Sequence, residues 1–169
     1  ESLIRAVPLF LRAEYKNGRS RRILKEWLTL FSASSEAALL RSQLAAGRLK
    51  REIPFRVKAD RVTLVGTMDL CWQEKGIHVR DWKITAENSA PNELYERQLL
   101  VYGAVCHLAV PGNVADLGLI YLRPGSFEGG VDLLNAAAGI LWEEVTEDIL
   151  SAAREATGDL NPNLSHCSR

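Results

Sequence analysis

Between Gly66 and Lys83 the sequence gathers Asp69, Asp81 and Lys83 in a stretch rich in β-branched and aromatic residues. Two carboxylates and an ammonium form a set that can hold a hard divalent cation and stabilise charge on a phosphate ester. Residues 62–72 and 77–82 have strand composition, and Glu74-Lys75-Gly76 between them predicts a hairpin whose three-residue turn ends in a left-handed glycine. That register pairs Gln73 with Ile77. It therefore sets Asp69 opposite Asp81 and Thr67 opposite Lys83, all on one face, because strand side chains alternate with period two. Directly opposed residues have Cβ atoms about 5 Å apart, and like charges so placed repel. A divalent cation offsets that repulsion, Mg²⁺ taking oxygen ligands at about 2.0–2.1 Å from one or two carboxylates, water and substrate phosphate.

The elements on either side enlarge the set. Residues 51–59 alternate Glu52, Arg56 and Lys58 with Ile53, Phe55 and Val57, as a half-buried strand does. If Asp60-Arg61 is a two-residue turn, Ala59 faces Val62 and Glu52 faces Asp69, with Arg56 and Lys58 near the same patch. The opposite face then collects Ile53, Phe55, Val57, Leu64, Met68, Leu70 and Trp72. In the third strand Ile77 and Val79 fall on the site face, with His78 and Arg80 behind, which implies helices over both faces of the sheet. After a polar loop capped at Ser89 or Asn92, a helix runs to about Val110 and stops at Pro111-Gly112. Gln98 and Tyr102 share one of its faces, with Tyr95 a turn earlier. Ordinary core packing would explain Tyr102 alone, but behind a carboxylate hairpin Gln98 can hydrogen-bond the lysine or a phosphate and Tyr102 can order that network.

Elsewhere Arg21–Phe31 predicts an amphipathic helix buried through Ile23, Leu24, Trp27, Leu28 and Phe31, and Ser35 caps a second over 36–49. Ala115–Arg123, ended by Pro124-Gly125, predicts a strand joined to the hairpin through the helical crossover. After Gly129-Gly130, residues 131–156 read mainly as one long helix burying Leu141, Trp142, Val145, Ile149 and Leu150, with Glu143, Glu144, Glu147 and Asp148 outside.

The 169 residues, 47% hydrophobic and 25% charged, suit one globular domain. Within it we read 1–50 as a helical lead-in, 51–125 as the motif-bearing core, and 126–169 as a C-terminal helix and tail. Leu99–Val110 is too short to span a bilayer and contains His107, and no signal peptide opens the chain, so a soluble cytoplasmic protein with no membrane contact is expected. The three cysteines, Cys71, Cys106 and Cys167, are odd in number and far apart, which argues against a disulfide framework and places Cys71 and Cys106 in the core. The net charge of zero conceals a split: residues 1–61 carry fourteen Lys and Arg against six Asp and Glu, a balance of +8, and the remainder is −8. A basic half suits phosphate binding, although solvated helix faces give the same count. No phosphate-cradling Gly-x-x-x-x-Gly-Lys loop is present, which excludes a P-loop ATPase within these residues.

Gly66-x-x-Asp69, the hairpin, Asp81-Trp82-Lys83 and then Gln98-Leu-Leu-Val-Tyr102 together resemble the PD-(D/E)XK nuclease superfamily. With the Glu52-Ile-Pro54-Phe55 lead-in they are most similar to its RecB-like branch, above all the nuclease domains of AddAB-type helicase-nucleases, over roughly residues 50–125. The resemblance implies an α/β restriction-endonuclease-like core, a mixed sheet with helices on both faces. It implies a Mg²⁺- or Mn²⁺-dependent exonuclease acting on single-stranded DNA or duplex ends in recombinational repair. Asp69, Asp81 and the Trp82 backbone carbonyl would be metal ligands, with Glu52 auxiliary. Lys83 would orient or deprotonate the attacking water, supported by Gln98 and Tyr102, while Arg48, Lys50, Arg56 and Lys58 are candidate contacts to DNA phosphates. Implied partners are a helicase domain in the same parent chain and a second helicase-nuclease subunit.

Two features depart from the pattern. A histidine ligand is expected from a helix ahead of Glu52, but the histidines are His78, His107 and His166. The tail, with Cys167, resembles the start of a cysteine cluster that in many RecB-like domains holds an iron–sulfur centre, an expectation for a longer parent only, since the chain opens in mid-pattern without Met. Two other readings stay open: a catalytically silent nuclease fold that guides single-stranded DNA, and a phage, restriction-type or CRISPR-associated nuclease sharing the core.

Overall fold

Two helices precede the sheet in the computed structural model, which describes residues 18–84, 93–110, 114–122, 131–134 and 141–158. Helix α1 (Gly18–Ser32) carries Phe31, fully buried, in its last turn, with Trp27 and Leu28 packed beside it. Helix α2 (Ser35–Ala45) is capped one residue earlier than expected: the Ser34 hydroxyl accepts the Ala37 N–H at 3.1 Å. It also ends before Leu49. The chain turns at Gly47, in the left-handed region (φ 70°), and Leu49 drops into the core.

Strands β1 (Lys50–Ala59), β2 (Val62–Gln73) and β3 (Ile77–Ile84) form an antiparallel meander. Helix α3 (Glu93–Ala109) leads to β4 (Val114–Leu122), parallel to β3, and β5 (Val131–Leu134) pairs antiparallel with β4. Helix α4 (Trp142–Gly158) follows. The sheet order is β1-β2-β3-β4-β5, a mixed sheet with helices on both faces and the α/β class expected. Residues 131–134 are thus a strand rather than the start of a long helix, and Leu141 is exposed instead of buried. The four residues Val131–Leu134, with Asp132 among them, are too few for periodicity to assign, and the hydrogen bonds offered by the edge of β4 decide it. The predicted loop caps at 89–92, the breaks at 111–112, 124–125 and 129–130, the opening segment and the Cys167 tail lie outside the described residues.

Each face of the sheet closes a core. Leu70, Trp72, Trp82, Ile120 and Leu122 meet Phe31, Ala37 and Leu40 of α1 and α2. Met68, Val79, Leu117, Leu119 and Tyr121 meet Leu99, Tyr102, Val105 and Cys106 of α3 and Trp142 of α4. Cys106 is buried and Cys71 half-buried, both free. Burial pushes the Cys106 thiol up to about 12 and raises Cys71 too, so both stay protonated. No helix among the described residues is long and apolar enough to cross a membrane.

Helices α3 and α4 touch closely because Gly103 has no side chain: a Cβ there would lie 2.1 Å from the Trp142 ring. Gly103→Ala is expected to force the helices apart and cost about 1–3 kcal/mol, the usual penalty of overpacking, measured by urea unfolding. An unchanged midpoint would mean that Trp142 has room to move.

Candidate active site

The site lies where the hairpins diverge. The β2–β3 ladder has the expected register, Gln73 with Ile77 through Leu70 with Arg80, and stops there. Lys75, not Gly76, takes the left-handed position in the turn (φ 55°), with Gly76 at φ 157°. Two residues past Arg80, the Trp82 N–H donates to Asp69 Oδ2 at 2.9 Å, so a carboxylate replaces a main-chain acceptor. From Met68 back to Val62, β2 pairs only with β1 among the described strands, while β3 continues along β4, leaving a fork with Asp69 and Asp81 at its crotch.

Strand β1 has a matching irregularity. Ile53 pairs with Met68 and Arg51 with Leu70, but Glu52 and Asp69 between them do not pair, and Glu52 is held at φ 49°. Side-chain alternation changes across this point. Met68 packs under α3 and α4, whereas Leu70 and Trp72 pack under α1 and α2, so the single apolar face expected for Met68, Leu70 and Trp72 is divided. Strict period-two counting cannot anticipate a left-handed residue in mid-strand.

The fork brings together Asp69, Asp81, Lys83, Gln98 and Tyr102, with Glu52 close enough to act on Asp69 electrostatically. Asp81 is 2% exposed. Its Oδ1 accepts from Gln98 Nε2 at 3.3 Å and lies 3.4 Å from the Tyr102 hydroxyl, and its Oδ2 forms an ion pair with Lys83. Lys83 Nζ also donates to Gln98 Oε1 at 2.7 Å and sits 4.5 Å from the centre of the Tyr95 ring, a cation–π contact. Gln98 Nε2 donates to the Tyr102 hydroxyl at 2.6 Å, and that hydroxyl donates to the Thr67 carbonyl at 3.0 Å. One helical turn therefore ties β2 to β3 across the fork. Tyr102 is pushed up to about 12 by burial first and the Asp81 charge next, so it stays a neutral donor at neutral pH.

Phe55 meets the Tyr102 ring edge-on, centroids 6.0 Å apart, and lies over Gly66, its partner across the β1–β2 ladder. A Cβ on Gly66 would come within 2.6 Å of that ring.

Burial raises the Asp69 carboxyl, and the Asp81 and Glu52 charges add to it, against the Trp82 N–H and Lys83, which lower it. The folded chain therefore binds more protons at Asp69 than the unfolded chain between the ordinary carboxylate pKa of about 3.9 and the raised value. This contribution to stability is present at low pH and is lost as pH rises through that window. In chelator, Asp69→Asn is expected to flatten the fall in unfolding free energy over the window. Parallel wild-type and variant curves would show that Asp69 does not titrate in this way.

A divalent cation fits the donors in kind. Asp69 Oδ2 is occupied by the Trp82 N–H, but its Oδ1 accepts no hydrogen bond among the described residues. Asp81 Oδ2, though paired with Lys83, has no aligned hydrogen bond. The N–H and C=O of a strand residue point to the same side, so the Trp82 carbonyl faces the fork that its N–H faces. Two carboxylates and a main-chain oxygen make a partial shell of the Mg²⁺ type. Among the described residues no three or more His, Cys, Asp or Glu side chains gather into a complete cage. His78 is committed elsewhere: its Nδ1 pairs with Asp116 at 2.7 Å, its Nε2 bonds the Glu74 carbonyl at 2.9 Å, and its ring stacks on Trp72.

The four basic candidates are not brought together. The Arg48 guanidinium donates to Gln43 Oε1 at 2.8 Å and pairs with Glu74 at 3.3 Å, while Lys50 is exposed beside a cleft that Arg48, Cys71, Trp72 and Gln73 also line. Arg56 and Lys58 alternate with Phe55 and Val57, which pack toward α3 and α4, and so project from the other face.

Sequence reasoning missed one polar cluster. Arg80, 2% exposed, pairs with Glu36 of α2 at 2.8 Å and with Asp116 of β4, and lies 5.0 Å from the centre of the Trp72 ring. Its signal was an arginine in the middle of a central strand, on the same side as Trp82, with an acid, Glu36, in the first turn of the covering helix.

A family model described as the PD-(D/E)XK nuclease superfamily matches residues 3–169. Among solved structures, one titled "Crystal structure of SSO0001" aligns over 90% of this chain and 71% of its own, with 13% identity and a TM-score of 0.44. No curated protein matches significantly.

Proposed function

Because the chain belongs to the PD-(D/E)XK nuclease superfamily, we propose that it is a Mg²⁺- or Mn²⁺-dependent deoxyribonuclease whose cleavage site is the fork between β2 and β3. The observation that carries this reading is the opening of the sheet at Asp69 and Asp81, with Lys83 held against Asp81 by Gln98. A structural salt bridge gives little reason to separate a pair of strands beside two carboxylates.

Asp69, Asp81 and the Trp82 carbonyl would hold the cation, which when bound supplies charge neutralisation on the phosphate and a more acidic water. Lys83 donates to the attacking water or to a phosphate oxygen from a place fixed by Asp81, Gln98 and the Tyr95 ring. Gln98 orients both ends of that pair. Tyr102 holds Gln98 and Asp81 in register with the Thr67 main chain.

The Glu52-x-Pro54-Phe55 lead-in and Gln98-x-x-x-Tyr102 support the RecB-like branch. We accordingly place the domain, as an exonuclease, in an AddAB-type helicase-nuclease that processes DNA ends for recombinational repair, alongside a helicase domain.

The test incubates end-labelled single- and double-stranded DNA with the protein in Mg²⁺, Mn²⁺ or chelator, beside Asp81→Ala and Lys83→Ala. Cleavage only with a divalent ion, lost in both variants, is the expected result, with linear DNA degraded and closed circles spared. Wild type no more active than the variants would overturn the enzyme reading, and DNA retained without cleavage would favour the silent, strand-guiding alternative.

A further inference from the structure

Beyond the fork, the β1–β2 hairpin presents a bare face. Pro54 pairs with Thr67, Arg56 with Val65 and Lys58 with Thr63, and all six side chains are exposed, Val65 at 60%. Their neighbours Ile53, Phe55, Val57, Leu64 and Met68 turn the other way into the core beneath α3 and α4, which fixes the direction of this face.

The face is positively charged without compensation. Neither strand contributes an acid between Ile53 and Met68, and Asp60 in the connecting turn pairs with Arg154 of α4 at 3.6 Å. Arg48, Arg80, Lys83, Arg97 and Arg154 all form ion pairs, whereas among the described residues Arg56 and Lys58 form none. Two residues apart on β1, they repeat at about 6.6 Å, comparable to the separation of successive phosphates along a nucleic-acid strand.

The face also has a direction. Along β2 the outward residues Thr63, Val65 and Thr67 lead toward the fork, where Asp69 lies two residues beyond Thr67. We propose that this face is a track along which one DNA strand reaches the fork, its phosphates held by Arg56 and Lys58 and its scissile phosphate delivered to Asp69. The partner's identity rests on the nuclease reading; the charge and course of the track do not. A single row of cations suits one backbone, and contacts of this kind position the strand without reading its sequence.

The test is fluorescence anisotropy of a labelled single-stranded oligonucleotide in chelator, so that nothing is cut, across a salt series. The double variant R56Q/K58Q is compared with wild type and with R22Q/K25Q, which removes equal charge from exposed positions on α1. Loss of two phosphate contacts should make the slope of log K against log salt shallower by about 1.4 in R56Q/K58Q. The control should keep the wild-type slope, and in cleavage assays R56Q/K58Q should lose kcat/KM through a raised KM.

Equal slopes in all three proteins would overturn the inference, as would an equal change in the control. A change seen with duplex but not with single strands would overturn the single-strand assignment. A wild type that binds through Arg56 and Lys58 but never cleaves would refute the nuclease reading alone. Cleavage with binding indifferent to both residues would refute the track alone.

Discussion

Lys83→Ala is expected to lower DNA cleavage by about 10²–10⁴-fold, the range for removing a positioned proton-transfer or charge-stabilising group. The Lys83 ammonium has an ion-pair partner in Asp81, an acceptor in Gln98 and an aromatic face in Tyr95, so it is aimed rather than solvated. Truncation also leaves Asp81, 2% exposed, without its countercharge, so the unfolding midpoint should fall as well. Single-turnover cleavage at saturating protein separates the two losses, since a merely unstable variant would still cut at low temperature. Lys83→Arg should not restore the rate, because a planar guanidinium cannot occupy the place of a compact ammonium between Asp81, Gln98 and Tyr95. Activity in Lys83→Ala within a few-fold of wild type would remove Lys83 from the chemistry.

Arg80 carries the largest expected effect on stability. Arg80→Met leaves Glu36 and Asp116 facing each other without the cation that joins them, and breaking a buried pair from one side costs about 3–5 kcal/mol. Urea unfolding should show that loss as a shifted midpoint. Arg80→Lys should recover only a fraction of it, because one ammonium cannot reproduce two divergent N–H contacts. Adding Glu36→Leu to Arg80→Met should cost less than the sum of the two single changes, since the second removes a charge the first has stranded. Additive losses would mean that the two side chains are not coupled.

The grouping of Asp69, Asp81, Lys83, Gln98 and Tyr102 was legible because hairpin registers follow from turn length. The registers set by Gln73–Ile77 and Ala59–Val62 run up to the neighbours of Asp69, Asp81 and Glu52, which are themselves unpaired in those two ladders, and Gln98 and Tyr102 follow from helical spacing. The divergence of β2 from β3 was not legible, because it depends on Asp69 accepting a main-chain N–H from Trp82 and on Glu52 adopting a left-handed backbone. Neither leaves a mark in composition. The side that Arg56 and Lys58 face was lost for the same reason: one irregular residue inverts the count for everything beyond it. The Arg80 cluster escaped because Glu36, Arg80 and Asp116 come from three separated elements, and no pattern along the chain foretells that they meet.

Gly66, three residues before Asp69, is not among the described glycines with a positive φ; it is small because the Phe55 ring lies across it. The glycine of this motif is therefore headroom, and headroom can be shared out differently. A chain with alanine at 66 and a smaller apolar residue at 55 would leave Tyr102 where it is, while alanine at 66 beneath phenylalanine would drive the ring toward it. Positions 55 and 66 act as one volume divided between two strands, and a search for this site in other sequences should score them as a pair.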